Sequence, residues 1–197
     1  MSLKLYDQTF DCFIDLLPKA DAKILELGCG PGNITRYLLQ RRPELKILGT
    51  DLAPNMVDLA KTNNPQAEFK ILDCRNLSPV SESFDAIMCG FCLPYLNKEE
   101  AGSLIQDAAE SLNPGGVIYI STMEDEYENS GLQSSASGDE VFMYYHSSNF
   151  LLETLATAGF EIQKLQRQDF NESDDTQSID LFITAQLNKE PKKIPTK

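Results

Sequence analysis

The stretch KILELGCGPGN, residues 23–33, decides the predicted fold of this chain of 197 residues. Its first half is a short apolar run that is typical of a buried strand and is interrupted only by Glu26. Three glycines follow at Gly28, Gly30 and Gly32, and they allow the backbone to turn tightly and to approach a ligand closely. Residues with helical periodicity come next, so the stretch predicts a strand, a glycine turn and a helix.

The rest of the chain repeats this alternation of strand and helix. The predicted strands cover residues 23–27, 45–51, 67–72, 84–89, 117–120, 160–165 and 179–187, and the predicted helices begin near residues 3, 33, 54, 97 and 148. Short links between such units demand a mostly parallel sheet with helices on both faces. The acidic stretch 169–180 has no helical pattern, so the last two strands are expected to pair as an antiparallel hairpin. We therefore predict a doubly wound α/β fold.

Residues at the ends of the predicted strands indicate a nucleoside site. In open α/β sheets, ligands bind beyond the carboxyl ends of the strands. Asp51 ends the second strand, where a carboxylate can accept hydrogen bonds from both hydroxyls of a ribose. Asp73 ends the third strand and could accept from the amine of adenine, although a strand-end cap or a solvated loop residue is the alternative. Gly90, at the end of the fourth strand, leaves room for a ligand on the other side of the crevice.

Glu26 distinguishes between nucleoside ligands. A dinucleotide fingerprint needs a third glycine where Asn33 stands, and the P-loop pattern is absent. A carboxylate at position 26 would repel a pyrophosphate but would complement an ammonium group. S-adenosylmethionine carries a ribose, an adenine, an α-ammonium and a sulfonium, and it has no phosphate. The pattern therefore favours S-adenosylmethionine over NAD.

Five segments resemble the motifs of class I S-adenosylmethionine-dependent methyltransferases of the small-molecule type. They are residues 24–32 (ILELGCGPG), 48–53 (LGTDLA), 72–74 (LDC), 84–87 (FDAI) and 112–116 (LNPGG). The similarity spans about residues 20–187, with the segments in order and at the expected spacing. It implies a Rossmann-like, seven-stranded sheet in the order 3-2-1-4-5-7-6, with strand seven antiparallel. It also implies in-line methyl transfer from S-adenosylmethionine to an acceptor that the sequence does not identify.

The resemblance implies roles for individual residues as well. By this resemblance, the methionine end of the cofactor would contact Glu26, Gly28 and Gly90, and its ribose would contact Asp51. The adenine would contact Leu52, Asp73 and the backbone of Cys74. Cys29, Gly30 and Met56 complete the predicted cofactor site.

The acceptor side of the site is predicted from fewer signals. His146, the single histidine, ends an insertion at residues 123–146 and is a candidate base or substrate contact; the alternative is an exposed histidine near a helix start. Tyr144 and Tyr145 would line a pocket wall or pack a cap, and the insertion, acidic at its start, is hypothesised to form a mobile lid. Tyr6 is a further candidate substrate contact, the alternative being a helix that merely packs on the sheet.

Composition limits the expected partners. The formal net charge of −13 would repel a phosphate backbone, so a small-molecule substrate is expected rather than nucleic acid. No apolar run approaches the ~18 residues of a membrane helix, and no signal-peptide layout is found, so a cytoplasmic location is expected. We expect no metal site, and a monomer or a homodimer. Residues 1–187 are predicted to form one domain that starts with a helix at 1–18, and residues 188–197 are predicted to form a disordered tail.

Three other function classes stay open at this point. One is a module that binds S-adenosylmethionine without catalysis, and another is a nicotinamide-dependent oxidoreductase. The third is thiol chemistry, because Cys89 and Cys92 have the spacing of a dithiol redox motif. Against the third, small apolar thiols are common packing residues in strands, and a thioredoxin-like fold would leave Asp51 and Asp73 unexplained.

Overall fold

The computed structural model is described for residues 6–134, 140–171 and 177–188, and in these ranges helices and strands alternate. The helices are α1 (Asp7–Asp15), α2 (Asn33–Arg41), α3 (Pro54–Asn63), α4 (Lys98–Ser111) and α5 (Ser148–Thr157). The strands are β1 (Lys23–Leu27), β2 (Lys46–Asp51), β3 (Glu68–Ile71), β4 (Phe84–Gly90), β5 (Leu112–Glu124), β6 (Gly131–Ser134), β7 (Glu140–Met143), β8 (Phe160–Asn171) and β9 (Gln177–Leu187).

Seven of these strands form one sheet in the order β3-β2-β1-β4-β5-β9-β8. Strands β1 to β5 pair in parallel, whereas β9 runs antiparallel to both of its neighbours. Counted within the sheet this order is 3-2-1-4-5-7-6, so the predicted doubly wound fold and its strand order are confirmed. The order reverses between β1 and β4, and ligands of such sheets bind beyond the strand ends at that point.

Helices cover the sheet on both faces, and the central strands are therefore apolar on both sides. Ile24 of β1 packs with residues of α1 and α2 on one face. Leu25, the next residue, packs with residues of α4 and α5 on the other. Helix α4 begins at the predicted cap, where Asn97 and Glu100 each accept a backbone hydrogen bond from the other.

Several elements differ in length from the sequence prediction. Strand β5 extends to Glu124 because β9 pairs with it along residues 117–124, well past the apolar stretch that predicts the strand. The described part of the insertion contains a two-stranded hairpin, β6–β7, that the sequence did not predict. Residues 1–5 of the predicted first helix and residues 189–197 of the predicted tail lie outside the described residues. None of the helices in the described ranges is long and apolar enough to cross a membrane.

Asp85 fixes the edge of the sheet that lies opposite the candidate site. Its carboxylate accepts hydrogen bonds from the backbone N–H of Lys23 at 2.9 Å and from the Asn113 side chain at 2.9 Å. It also forms an ion pair of 2.8 Å with Lys19. The acidic residue of the FDAI segment therefore ties together the amino ends of β1, β4 and β5.

Candidate cofactor and acceptor site

The glycine turn between β1 and α2 is held against the tip of β2. The backbone N–H of Cys29 donates to the carbonyl of Thr50 at 2.8 Å, and that of Gly30 donates to the Asp51 carboxylate at 2.8 Å. From the other side, the amide of Asn64 donates to the carbonyl of Gly32 at 3.0 Å. The strand and the first turn of the helix are thereby fixed in relation to each other.

Two of the three glycines are required by packing, and the third faces open space. A Cβ at Gly28 would lie 2.6 Å from the sulfur of Cys92, and one at Gly32 would overlap the Asn64 amide. Gly30 has a φ of +51°, but nothing lies within 4 Å of the position of its Cβ. A ligand can therefore approach the backbone at Gly30, as the predicted cofactor site requires.

Glu26 is a buried carboxylate with one oxygen that has no donor. It is 1% exposed; the Thr35 hydroxyl donates to Oε2, and Oε1 has no hydrogen-bond partner among the described residues. Burial raises the pKa of Glu26 to about 7 from its ordinary value of 4.5, and the nearby charge of Asp51 adds to the rise. An ammonium group would satisfy both the free oxygen and the uncompensated charge, so the residue fits the α-ammonium of S-adenosylmethionine.

Asp51 and Leu52 fit the nucleoside part of the same ligand. The Asp51 carboxylate is partly exposed and accepts from the backbone N–H groups of Gly30 at 2.8 Å and Ala53 at 2.9 Å, one on each oxygen. A carboxylate oxygen accepts two hydrogen bonds, so each can take a ribose hydroxyl as well. The Leu52 side chain is 59% exposed, which is unusual for leucine and leaves an apolar surface for a base.

Asp73 is engaged with Arg75, which the sequence prediction overlooked. The guanidinium donates to both oxygens of Asp73 at distances of 2.6–3.0 Å, and the backbone N–H of Arg75 adds a further bond of 3.0 Å. This contact holds the pKa of Asp73 below its ordinary value. Three N–H groups of Arg75 thus engage both oxygens of the carboxylate, so an adenine amine would compete with Arg75 for Asp73.

The cysteines near the site are reduced and buried or half-buried. No disulfide links the five cysteines, and the Cys92 thiol donates to the carbonyl of Leu27 at 2.8 Å. Burial raises the pKa of Cys29, and the neighbouring Cys92 thiol together with burial raises that of Cys74. Thiolates are the reactive form of cysteine, so these surroundings do not favour thiol chemistry.

On the acceptor side, the structure brings together Tyr6 and a residue that the sequence analysis did not single out, Asp180. Tyr6 is 1% exposed, and its hydroxyl donates to Asp180 at 2.8 Å. Its ring packs against Phe91, which follows Gly90 directly, with ring centroids 5.6 Å apart. Tyr6 therefore lies beside the predicted methionine end of the cofactor.

His146 is fully buried, so the alternative of an exposed histidine is wrong. Its Nε2 lies 3.1 Å and 3.0 Å from the carbonyl oxygens of Leu93 and Leu96, and it must donate because both partners are acceptors. Burial lowers the pKa of the imidazole, which keeps it neutral. The backbone N–H of Tyr144 donates to Pro94 at 2.8 Å in the same turn. His146 is thus placed to hold the insertion, and this geometry does not favour a catalytic base.

The other predicted acceptor residues take part in packing of the insertion. The Tyr144 ring lies 4.7 Å from Phe142 and 6.1 Å from Tyr127, measured between centroids. The Tyr145 hydroxyl accepts from Gln133 of β6 at 2.6 Å. Both tyrosines are half-buried. This placement agrees with the prediction that they pack a cap, and it leaves part of each residue accessible.

We expect His146→Ala to destabilise the fold by roughly 2–3 kcal/mol, because it removes the side-chain donor to the Leu96 carbonyl and one of the two donors to the Leu93 carbonyl, and opens a cavity. The melting temperature should fall by about 4–10 °C. His146→Gln keeps an N–H that can reach the same carbonyls, so it should lose less than His146→Ala. Thermal unfolding followed by circular dichroism measures both. An alanine variant as stable as the parent would contradict the structural role of His146.

Comparison with known proteins finds methyltransferases that are similar to this chain. A family model described as a methyltransferase domain matches residues 24–116. A trans-aconitate 2-methyltransferase from Variovorax paradoxus is 36% identical over 112 residues, which are 57% of this chain and 42% of the relative. The Escherichia coli enzyme of the same name is 28% identical and matches 82% of this chain and 66% of its own length. The chain spans about half the length of the first curated relatives that it matches.

Solved structures agree on the fold. The structure of an S-adenosylmethionine-dependent methyltransferase from Methanosarcina mazei superimposes with a TM-score of 0.77 at 22% identity, over 90% of this chain and 97% of the other. At that identity the likeness speaks for the fold, while the family model and the curated relatives add a similarity in sequence over about half of the chain. The chain is thus similar to S-adenosylmethionine-dependent methyltransferases, in sequence over residues 24–116 and in fold over most of its length.

Proposed function

We propose that residues 1–187 act as one domain that transfers a methyl group from S-adenosylmethionine to a small-molecule acceptor. The observation that carries the proposal is Glu26, whose buried Oε1 has no hydrogen-bond partner and whose charge no ion pair compensates in the part of the chain that the structure describes. Buried carboxylates are normally paired, so this one is suited to a cationic ligand. It stands directly before the glycine turn, where the methionine end of the cofactor would bind.

The residues of the strand tips would hold the cofactor in an extended conformation. Glu26 would bind the ammonium, Asp51 the ribose hydroxyls, and Leu52 one face of the adenine. When bound, S-adenosylmethionine supplies a methyl group on a positively charged sulfur that an in-line nucleophile can displace. The protein contributes orientation and exclusion of water, and holding a nucleophile about 3–3.5 Å from the reacting carbon supplies several kcal/mol.

The proposed acceptor is a small molecule, and we propose a monomer or a homodimer without a nucleic-acid partner. The net charge of −13 supports this choice because a phosphate backbone would be repelled. Several relatives are named trans-aconitate methyltransferases, so a carboxylate acceptor is one candidate class. The surroundings of Asp180, described below, favour a different class.

Cofactor binding is the first test. S-adenosylhomocysteine at about 100 times its dissociation constant should stabilise the protein by roughly 2.7 kcal/mol, because it binds only the folded state. The melting temperature should rise by about 5–10 °C. NAD should produce no shift, since Glu26 opposes its pyrophosphate. A shift with NAD and none with S-adenosylhomocysteine or S-adenosylmethionine would refute the proposal.

Transfer of a radiolabelled methyl group then separates an enzyme from a non-catalytic module. Incubation with labelled S-adenosylmethionine and a panel of amines, carboxylates, phenols and thiols should label at least one acceptor. Binding of the cofactor without any transfer would favour the module.

A further inference from the structure

The carboxyl edge of the sheet contains a second buried carboxylate that the cofactor does not use. We call Tyr6, Phe91, Phe182 and Asp180 the acceptor cluster. The hydroxyl of Tyr6 donates to Asp180 at 2.8 Å. The ring of Tyr6 lies 5.6 Å from that of Phe91 and 5.3 Å from that of Phe182. Asp180 itself is only 5% exposed, so its carboxylate is buried beside the Tyr6 hydroxyl.

The acceptor cluster borders the place where the acceptor must bind. Asp180 pairs with Met123 near the carboxyl end of β5, so it lies at the same edge of the sheet as Glu26 and Gly90. Phe182 packs on the same face of the sheet as Met88, whose register partner in β1 is Glu26. Phe91 joins the cluster to Gly90 and therefore to the predicted methionine end.

The backbone of Phe91, which connects the acceptor cluster to Gly90, has a strained conformation. Its φ of 54° lies in the left-handed region, which bulky residues rarely adopt. The N–H of Phe91 donates to both the carbonyl and the hydroxyl oxygen of Ser121, at 3.1 Å and 3.0 Å. These bonds hold the strained turn in place, and such strain is typical of ligand sites.

The charge of Asp180 is not compensated by any ion pair within the described residues. Burial raises its pKa, and Tyr6 supplies a neutral donor only. The guanidinium of Arg167, whose register partner Leu181 is the neighbour of Asp180, is engaged elsewhere, because it binds Glu124 at 2.5 Å. A polyanionic acceptor would meet an unpaired carboxylate at this position, and a buried like charge opposes its binding.

We infer that the acceptor is an amine, bound through its ammonium group by the Asp180 carboxylate and the rings of Tyr6 and Phe91. Carboxylates and aromatic faces together are the surroundings that favour a desolvated ammonium. The inference rests on the proposed methyl transfer.

Asp180 also gives the chemistry a proton acceptor. One proton leaves the ammonium for Asp180, and the freed lone pair of nitrogen forms the new bond to the methyl carbon. The carbon–sulfur bond breaks with its electron pair staying on sulfur, which becomes a neutral thioether. The product leaves as a methylammonium ion, and the proton on Asp180 passes to water.

Pairs of matched ligands test the inference without an identified substrate. Binding of ethylamine, butylamine and phenethylamine to the protein saturated with S-adenosylhomocysteine is compared, by NMR titration, with that of propionate, pentanoate and 3-phenylpropionate. The amine of each pair should bind at least tenfold more tightly. Asp180→Asn should abolish this preference, and Tyr6→Phe, which keeps the ring and the charge, should weaken it about threefold. Glu44→Gln removes an exposed charge just before β2, at the opposite edge of the sheet, and should change neither affinity.

The outcomes separate the two proposals. If the parent protein does not bind S-adenosylhomocysteine, the proposed function itself is contradicted. Normal cofactor binding together with preferred carboxylates, no binding by any amine, or a preference that survives in Asp180→Asn would overturn the amine assignment alone. A melting temperature at or above that of the parent, together with parental cofactor affinity, shows that Asp180→Asn is folded.

Discussion

Replacing Glu26 by glutamine is expected to make the protein harder to unfold and to weaken its binding of S-adenosylmethionine. A rise of the pKa from 4.5 to about 7 corresponds to a cost of about 3 kcal/mol for keeping the ionised carboxylate buried. Glutamine removes that charge but leaves its own N–H unpaired, so the net gain should be about 1–2 kcal/mol at pH 8. The loss of the ammonium partner should raise the dissociation constant more than a hundredfold.

The stability that Glu26→Gln gains over the parent protein should depend on pH. An acid whose pKa is raised by folding destabilises the native state where it is ionised. The cost is absent below about pH 4.5 and complete above about pH 7, so the advantage of Glu26→Gln should grow across this interval. In the parent protein, cofactor affinity should rise with pH up to about 7 and then level off, because binding selects the ionised form. Urea unfolding and calorimetry at several pH values measure both, and a glutamine variant that binds normally would contradict the role of Glu26.

Replacing Asp51 by alanine should raise the dissociation constant of the cofactor by roughly 10- to 150-fold, which corresponds to a loss of about 1.5–3 kcal/mol of binding free energy. Two effects add up in this variant. The ribose loses its acceptors, and the N–H groups of Gly30 and Ala53 lose the carboxylate that holds the glycine turn. Unlike the glutamine variant of Glu26, this one should also lose stability.

The matched control for Asp51→Ala is Asp58→Ala. Asp58 lies on the exposed side of α3, where its side chain forms a long ion pair of 3.9 Å with Lys61. Asp58→Ala therefore removes one negative charge, as Asp51→Ala does, without removing a contact of the glycine turn. Calorimetric titration with S-adenosylhomocysteine should show parental affinity for Asp58→Ala. A folded Asp51→Ala protein whose affinity is within twofold of the parent would refute the ribose assignment.

The sequence predicts the sheet well because the apolar runs and the links between them are local features. Its order, 3-2-1-4-5-7-6, came from the family resemblance and is confirmed. Strand lengths were less predictable, because pairing with β9 extends β5 to Glu124, beyond the apolar residues. The β6–β7 hairpin was missed since neither of its strands has a clear alternation of apolar and polar residues.

The site shows the same division between local and distant contacts. The glycine turn and the residues at the ends of β1 and β2 were predictable because they follow one another in the chain. Arg75 lies only two residues after Asp73, and a basic residue beside a proposed base-reading carboxylate could have been noticed. The contact between Tyr6 and Asp180 spans 174 positions, and no pattern in the sequence connects them. His146 was unpredictable for a similar reason, because its partners are backbone carbonyls.

The way in which the insertion is fastened has a consequence for how enzymes of this architecture diversify. His146 and the N–H of Tyr144 bind main-chain carbonyls of residues 93–96. Such hydrogen bonds depend on the backbone conformation of residues 93–96 and hardly on the side chains of these residues. Selection, or a protein engineer, could therefore exchange the whole hairpin for another while the proposed cofactor site at the tips of β1 and β2 stays as it is.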